Sequence, residues 1–142
     1  MQLQIPDVIR EKARILVVED NLLNQKLDAF LLSRWGLHYE ICDNGRDAIS
    51  SLRNRQFSLV LMDLRMPALT GLEATRVIRT ELALDVPVIG VTAYPTEEEK
   101  QKCMEAGMNT CLNKPVDEDE LLRQICMFLV PEQVEEVQDE EE

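Results

Sequence analysis

Five polar residues of this 142-residue chain lie at or just after the ends of short apolar runs. They are the acidic pair Glu19–Asp20 and, further along the chain, Asp63, Thr92 and Lys114. Carboxylates that are held close together resist ionising unless a cation compensates their charge. Oxygen ligands with no His or Cys nearby suit a hard cation, and Mg²⁺ prefers one or two carboxylates plus water. If the three acids meet in the fold, the sequence predicts a Mg²⁺ site.

The other two residues suit the oxygens of a phosphoryl group. Lys114 offers a compact positive charge and Thr92 offers a hydroxyl, and both groups bind such oxygens. One of the carboxylates would then be the nucleophile and form an aspartyl-phosphate. The five residues together therefore favour Mg²⁺-assisted covalent phosphoryl chemistry.

Each of these residues also has an ordinary structural interpretation. An Asp after a strand is often a helix N-cap, and for Asp20 taken alone this alternative stays open. A Thr after a strand is commonly a cap, and the Lys114–Pro115 pair is commonly a turn. Independent caps have no reason to fall at the ends of successive strands, so the joint pattern favours a site.

Five short strands are predicted, from three apolar runs and from two weaker candidates at 39–42 and 110–112. The three runs are continuous rather than alternating, which indicates strands buried on both faces of a sheet. Between them, apolar residues recur at helical spacing, as Leu23, Leu27, Phe30 and Leu31 do in the first of five predicted helices. Alternating strands and helices predict an α/β fold, with a parallel sheet, right-handed crossovers and helices on both faces. The predicted strands lie at 15–18, 39–42, 59–62, 88–91 and 110–112, and the helices lie around 23–31, 48–52, 71–82, 96–107 and 121–129.

Parallel strands bring their carboxyl ends to one edge of the sheet, and ligands of open α/β sheets bind beyond that edge. We therefore expect Glu19, Asp20, Asp63, Thr92 and Lys114 to converge in one crevice, although nearly a hundred positions separate the first from the last.

The charge of the chain argues against two classes of partner. The formal net charge is −12, from 27 acidic and 15 basic residues. Seven of the acids lie in 132–142, which leaves 20 acids and 15 bases, a net of −5, for 1–131. Binding to nucleic acid or to anionic lipid relies on clustered cations, so we expect neither a nucleic-acid partner nor contact with a membrane.

The ends of the chain and its cysteines allow further expectations. We expect 1–13 to be an N-terminal extension or linker, 14–130 to form the domain, and 131–142 to be an acidic, disordered tail. The four cysteines form no CxxC pair and the chain has one histidine, so a zinc site or disulfide framework is not expected. No apolar stretch reaches the roughly 18–20 residues of a membrane span, and the N-terminus does not resemble a signal peptide. A cytoplasmic protein with reduced thiols is the expected result.

Four segments resemble the receiver domain of two-component response regulators. They are ILVVED at 15–20, LMDLRMPALTG at 61–71, Val91-Thr92-Ala93 and Asn113-Lys114-Pro115. The resemblance runs from about residue 14 to residue 129. It implies a flavodoxin-like (βα)5 fold, a doubly wound five-stranded parallel sheet in the order 2-1-3-4-5.

The resemblance also implies a role for each site residue. Asp63 matches the phosphorylated aspartate, and Asp20 and Asp63 match direct Mg²⁺ ligands. Glu19 matches an acid that acts through water, and the backbone carbonyl of Arg65 matches the third protein ligand. Thr92 with Ala93 and Lys114 match the switch and phosphate-binding positions.

The implied partner is a histidine kinase or a histidine phosphotransfer protein, which donates its phosphoryl group. The domain would then shift between two populations at the surface formed by helix 4, strand 5 and helix 5 of the fold, where a homodimer could also form. Some segments, including Glu105–Met108, resemble the receivers of hybrid histidine kinases. The chain is expected to be a stand-alone regulator or a piece of a hybrid kinase, and after residue 130 it has no room for a DNA-binding helix-turn-helix.

Three positions concern the switch and the lifetime of the phosphoryl group. Receivers usually carry Tyr or Phe three residues before the lysine, where this chain has Cys111, which is too small to fill the same pocket. Arg65 and Tyr94 are candidate modulators of the phosphoryl lifetime, and Tyr94 is equally well explained as a surface residue at a loop.

Two other classes of function remain open at this point. One is a Mg²⁺-dependent phosphohydrolase of the haloacid dehalogenase type, which also forms an aspartyl-phosphate. Such enzymes carry a second Asp two residues after the nucleophile, where this chain has Arg65. The other is a protein-binding receiver that has lost phosphorylation, an alternative that Cys111 keeps open. The receiver function would make the isolated chain no enzyme beyond its own phosphorylation and dephosphorylation.

Overall fold

The computed structural model describes residues 5–130. Within them, six helices and five strands follow one another along the chain. The strands are β1 (Arg14–Val18), β2 (His38–Cys42), β3 (Leu59–Asp63), β4 (Val88–Thr92) and β5 (Thr110–Asn113). The helices are α1 (Asp7–Lys12), α2 (Leu22–Arg34), α3 (Gly45–Asn54), α4 (Gly71–Thr80), α5 (Glu97–Ala106) and α6 (Glu118–Leu129).

All five strands pair in parallel in the order β2-β1-β3-β4-β5. This order confirms the predicted flavodoxin-like sheet. Every residue of β3 and β4 is buried, as continuous apolar runs predict for strands covered on both faces. The carboxyl ends of the strands consequently lie along one edge of the sheet.

Alternate residues of the strands face two separate cores. Ile15, Val17 and Leu61 point into one core, with apolar residues of α2 and α6. Leu16 and Val60 point into the other, with residues of α3, α4 and α5. The domain is therefore a three-layer α/β/α sandwich, in which each core fixes the helices of one face against the sheet.

α1 lies within 1–13, the segment expected to be an N-terminal extension or linker. Ile5, just before it, is 7% exposed, and it packs with Ile9 and Val130 against the core of the α2 and α6 face. Because α1 precedes β1, the surface predicted at helix 4, strand 5 and helix 5 corresponds to α5, β5 and α6. The segment 131–142, predicted to be a disordered tail, lies outside the described residues.

α2 forms where predicted, but its apolar stripe does not mark its buried face. Leu23 is 75% exposed and Phe30 is 60% exposed, whereas Leu31, Leu32 and Asp28 are buried. The buried positions fall at i, i+3 and i+4 from Asp28, so the helix is turned by about one residue from the orientation that the stripe indicates. The helix therefore exposes apolar side chains and buries a carboxyl.

Among residues 5–130, no helix has the combination of length and apolarity that crossing a membrane requires.

Candidate functional site

Three acidic residues meet at the carboxyl edge of the sheet. Glu19 directly follows β1, Asp20 comes next, and Asp63 is the last residue of the neighbouring strand β3. One carboxylate oxygen from each lies within 4.8 Å of the others. Glu19 and Asp63 are buried, whereas Asp20 faces solvent. The cluster is thus open on one side, where a ligand can enter.

Lys114 brings one positive charge into this cluster from the end of β5. Its Nζ atom donates to Oε1 of Glu19 at 2.9 Å and lies 3.2 Å from Oδ1 of Asp63. Burial alone would lower the pKa of Lys114, but the hydrogen bond to Glu19 and the nearby carboxylates outweigh burial and raise it. Lys114 therefore stays charged and partly compensates two buried acids.

The carboxyl of Asp63 has a raised pKa, about 6. The largest cause is burial, and the charge of Glu19 adds to it. The ammonium of Lys114 and the backbone N–H of Arg65, which donates to Oδ1 at 3.2 Å, act in the opposite direction. At neutral pH, Asp63 is mostly ionised and is ready to act as a nucleophile or a ligand.

Thr92, Ala93 and Tyr94 lie at the end of the next strand along the edge. Thr92 is the last residue of β4 and is fully buried, and its Oγ1 accepts from the backbone N–H of Tyr94 at 3.0 Å. Ala93 and Tyr94 are exposed. Within residues 5–130, no hydrogen bond joins Thr92 to Asp63. Thr92 thus lies at the same edge of the sheet as the cluster, at the end of the strand that pairs with β3.

Two residues that position Glu19 come from α2 and its cap, one through its backbone and one through its side chain. The backbone N–H of Asn21, the N-cap of α2, donates to Oε2 of Glu19 at 3.0 Å. The side-chain amide of Gln25 donates to the carbonyl oxygen of Glu19 at 2.7 Å. The sequence could have indicated Asn21, because Asn is a preferred N-cap. It gave no indication of the Gln25 contact.

Gly71 allows α4 to begin directly against the carboxyl end of β3. A Cβ atom at this position would collide with the carbonyl oxygen of Asp63. The backbone N–H of Gly71 donates to the carbonyl of Leu64 at 3.0 Å. A side chain here would push α4 away from the end of β3, so the glycine is required by close backbone approach.

Asp28 is a buried acid beside the cluster that the sequence did not reveal. It lines a cavity of about 40 Å³ together with Glu19, Asp63, Lys114 and apolar side chains such as Leu61. Burial, followed by the charge of Glu19, raises the pKa of Asp28 to about 7. Within residues 5–130, its carboxyl has no hydrogen bond or ion pair. A lone Asp within a helix whose apolar residues lie on several faces gives no sequence indication of burial.

Arg65 contacts α5 and the loop after β4, whereas Cys111 contacts another cysteine. The guanidinium of Arg65 bonds Glu99 of α5 at 3.0 Å and lies over the ring of Tyr94, 4.6 Å from its centroid. Cys111 lies half-buried on β5, where its thiol contacts the buried thiol of Cys103. All four cysteines are free.

The donor set of the cluster fits a hard divalent cation. It consists of carboxylate oxygens, with no His or Cys among them, and one acid faces solvent where water could complete the coordination. The ionised Asp63, Lys114 and the Thr92 hydroxyl provide a nucleophile and two groups for phosphoryl oxygens. The arrangement can accept a phosphoryl group, but it holds no general acid two residues after Asp63 that would make a hydrolase.

Comparison with known proteins points to the same chemistry. The model of the family described as response regulator receiver domain matches residues 15–126. The chain is 40% identical over 114 residues to the sensor histidine kinase RcsC of Salmonella typhi, covering 80% of this chain and 12% of that protein. This chain thus spans about an eighth of the length of that relative.

Two solved structures are similar over most of the chain. One is the receiver domain of Ssk1 in complex with the histidine phosphotransfer protein Ypd1 of Saccharomyces cerevisiae, with a TM-score of 0.80, 28% identity and coverage of 86% of this chain and 92% of that chain. The other is the receiver domain of the sensor histidine kinase PA1611 of Pseudomonas aeruginosa with a magnesium ion in its active-site cleft, with a TM-score of 0.76, 36% identity and coverage of 82% and 97%. The chain belongs to the response regulator receiver domain family of two-component signalling.

Proposed function

We propose that this receiver domain accepts a phosphoryl group on Asp63 from the phosphohistidine of a histidine kinase or a histidine phosphotransfer protein. The observation that carries the proposal is the cluster of Glu19, Asp20 and Asp63 around the ammonium of Lys114. Three acids and one cation leave an excess of negative charge, which a divalent cation at the open side compensates.

The proposed cofactor is Mg²⁺, held by Asp20, Asp63 and the backbone carbonyl of Arg65, with Glu19 acting through water. The receiver of PA1611 binds magnesium in its active-site cleft, and its similarity to this chain supports the assignment. When bound, Mg²⁺ supplies charge neutralisation for the phosphoryl oxygens.

The transfer step is a displacement at phosphorus. A carboxylate oxygen of Asp63 forms a new P–O bond, while the P–N bond to the donor imidazole breaks and its electron pair returns to the ring nitrogen. Asp63 must be ionised to attack, which its pKa of about 6 allows at neutral pH. Lys114 and the hydroxyl of Thr92, with the backbone at Ala93, are the groups we propose for binding the transferred phosphoryl oxygens.

The donor protein would dock on the exposed apolar side chains of α2. Leu22, Leu23, Leu27 and Phe30 are all exposed, and α2 begins beside the acidic cluster, where Leu27 also lines the cavity that contains Asp63. A donor histidine must reach Asp63 from the surface that borders it, and exposed apolar patches commonly mark protein interfaces. The Ssk1 receiver, which is similar in structure, was solved with a histidine phosphotransfer protein.

We propose that the phosphorylated domain signals through the surface formed by α5, β5 and α6, either by contact with another protein or by forming a homodimer. Arg65 and Tyr94, stacked beside the edge of the site, are proposed to slow the attack of water on the phosphoryl group. We further propose that the receiver unit spans 14–130 and that it functions in the cytoplasm.

The direct test is phosphorylation by a small donor. The chain is incubated with Mg²⁺ and phosphoramidate, and its intact mass is compared with that of Asp63→Asn and of a sample containing excess chelator. We expect one phosphoryl adduct on the parent chain only, and only with Mg²⁺. A parent chain without an adduct would contradict the proposal, and sustained release of phosphate over many turnovers would favour a phosphohydrolase instead.

A further inference from the structure

Receivers usually carry an aromatic residue three positions before the lysine, where it takes part in the switch. This chain has no aromatic side chain at that position. Cys111 occupies it, half-buried on β5, and its side chain lacks the volume of an aromatic ring. A groove of about 470 Å³ lies next to it, lined by Cys111 and by residues of α5 and α6 such as Lys100 and Glu120. If the state of Asp63 is to reach α5, another contact must carry it.

Glu99 supplies a contact between α5 and the site. It lies in the first turn of α5 and is 5% exposed, so its carboxylate is removed from water. Within residues 5–130, its ion-pair partner is Arg65, at 3.0 Å, from the loop that follows β3. The side chain of Arg65 is 58% exposed whereas that of Glu99 is buried, so the pair shields the one charge on α5 that water does not reach. Separating the pair would leave this buried carboxylate without its cation, which favours a position of α5 that keeps Glu99 close to Arg65.

Arg65 touches Asp63 through its main chain and α5 through its side chain. Its backbone N–H donates to Oδ1 of Asp63 at 3.2 Å, while its guanidinium binds Glu99. The same guanidinium lies over the ring of Tyr94, whose backbone N–H donates to the hydroxyl of Thr92. One side chain therefore joins the phosphoacceptor loop, the loop after β4 and the start of α5.

We propose that Arg65 is a positioning residue that transmits the phosphorylation state of Asp63 to α5 through its ion pair with Glu99, in place of a switch aromatic. This inference rests on the proposed function. When the carboxyl of Asp63 is phosphorylated, its bond to the Arg65 backbone must change, and the loop carries the guanidinium with it. Because Glu99 stays paired, α5 moves with the loop. Linkage then requires that changes at Glu99 alter binding at Asp63 in return.

The test follows the backbone amides of the chain by NMR on adding Mg²⁺ and beryllium fluoride, which mimics the phosphoryl group. In the parent we expect shifts both at 63–65 and along α5. In Glu99→Gln and in Arg65→Met, which keeps the main-chain groups of Arg65, we expect site shifts to persist. The α5 shifts should fall to less than about a third of the parent value. Arg65→Lys, which retains a cation, should keep most of the α5 response.

Two further variants separate transmission from simple loss of stability. The double variant Arg65→Met/Glu99→Gln removes both charges, so it leaves no buried unpaired charge, yet it should be as uncoupled as the single variants. Lys102→Met removes the exposed pair with Glu98 on the same helix and should leave the response unchanged.

Each outcome decides a separate question. Parent-sized α5 shifts in the double variant, or no α5 shift in the parent, would overturn the role of Arg65. If the backbone amides of 63–65 in the parent do not shift when Mg²⁺ and beryllium fluoride are added, the proposed function itself is contradicted.

Discussion

The ammonium nitrogen of Lys114 lies 2.9 Å from Oε1 of Glu19, although 95 positions separate the two residues in the chain. It also lies 3.2 Å from Oδ1 of Asp63. Parallel pairing places the ends of β1, β3 and β5 along one edge, so residues that follow these strands become neighbours. One cation is shared between two buried carboxylates, and the charge state of the site depends on it.

Replacing Lys114 with Met should raise the pKa of Asp63 above its value of about 6. The ammonium favours the ionised carboxylate, and its loss leaves burial and the charge of Glu19 unopposed except by the Arg65 N–H. A carboxyl-carbon NMR titration in metal-free buffer measures the midpoint. Lys102→Met, at an exposed position of α5, serves as the control. An unchanged midpoint in Lys114→Met would show that the pair does not set the charge of Asp63.

Asp28→Asn should make the free energy of unfolding less dependent on pH. The pKa of Asp28 is raised from 3.8 to about 7, so the folded state keeps a proton that the unfolded state loses as the pH rises between these values. The parent therefore loses stability across this window, whereas the amide does not ionise. We expect the free energy of unfolding of the variant, relative to the parent, to increase by about 2 kcal/mol between about pH 5 and about pH 8.

Urea unfolding at both pH values, without Mg²⁺, measures this difference. Asp63 titrates in both proteins, and its charge is the smallest of the causes that shift the pKa of Asp28, so most of its contribution cancels in the comparison. Parallel pH profiles for parent and variant would mean that Asp28 ionises in the folded state as it does in water.

Arg79→Met should destabilise the domain by about 2–4 kcal/mol. The guanidinium donates to three backbone carbonyls, those of Gly107, Leu84 and Val86, and to the side chain of Asn109. It thereby ties α4 to the loops before β4 and β5, and its loss leaves partly buried acceptors without a donor. Denaturant unfolding measures the cost.

Arg76→Met is the matched control for Arg79, because Arg76 lies on the same helix and is exposed. It should change the free energy of unfolding by less than about 0.5 kcal/mol. Equal costs for the two variants would contradict the structural role of Arg79.

Leu31→Ala and Leu23→Ala should differ sharply in how much they lower the free energy of unfolding, although the sequence spacing places both residues on one apolar stripe. Leu31 is 3% exposed and packs in the core, so its truncation should cost about 2–4 kcal/mol. Leu23 is 75% exposed, so its truncation should cost less than about 0.5 kcal/mol. Thermal unfolding distinguishes them, and similar melting temperatures would contradict the orientation of α2.

The fold was predictable because its three central strands, β1, β3 and β4, contain continuous apolar runs. A run such as 59–62 buries both faces, so it indicates a parallel sheet covered on both sides before any contact is known. The helix stripe at Leu121 and Ile125 marks a buried face correctly. The stripe at Leu23 and Phe30 does not, since helical periodicity identifies an apolar face without saying whether that face meets the core or solvent.

The candidate site was predictable where it depends on strand ends alone. Glu19, Asp63 and Lys114 follow strands, so parallel topology brings them together whatever the details of packing. Asp28, Gln25 and Glu99 lie on helices, and their contacts depend on how each helix is rotated and how far it slides along the sheet. No sequence pattern predicted the cavity beside Asp28 or the ion pair of Arg65 with Glu99, two residues that are 34 positions apart in the chain.

By itself, the sequence determined the α/β class, the positions of the strands and the chemical types gathered at their ends, because hydrophobic periodicity and strand direction are local properties of the chain. Only the tertiary structure decided which acids are buried, which cation compensates them and which side chain connects Asp63 to α5. Burial and charge pairing depend on distances between residues far apart in the chain, and those distances exist only after the helices have packed on both faces of the sheet.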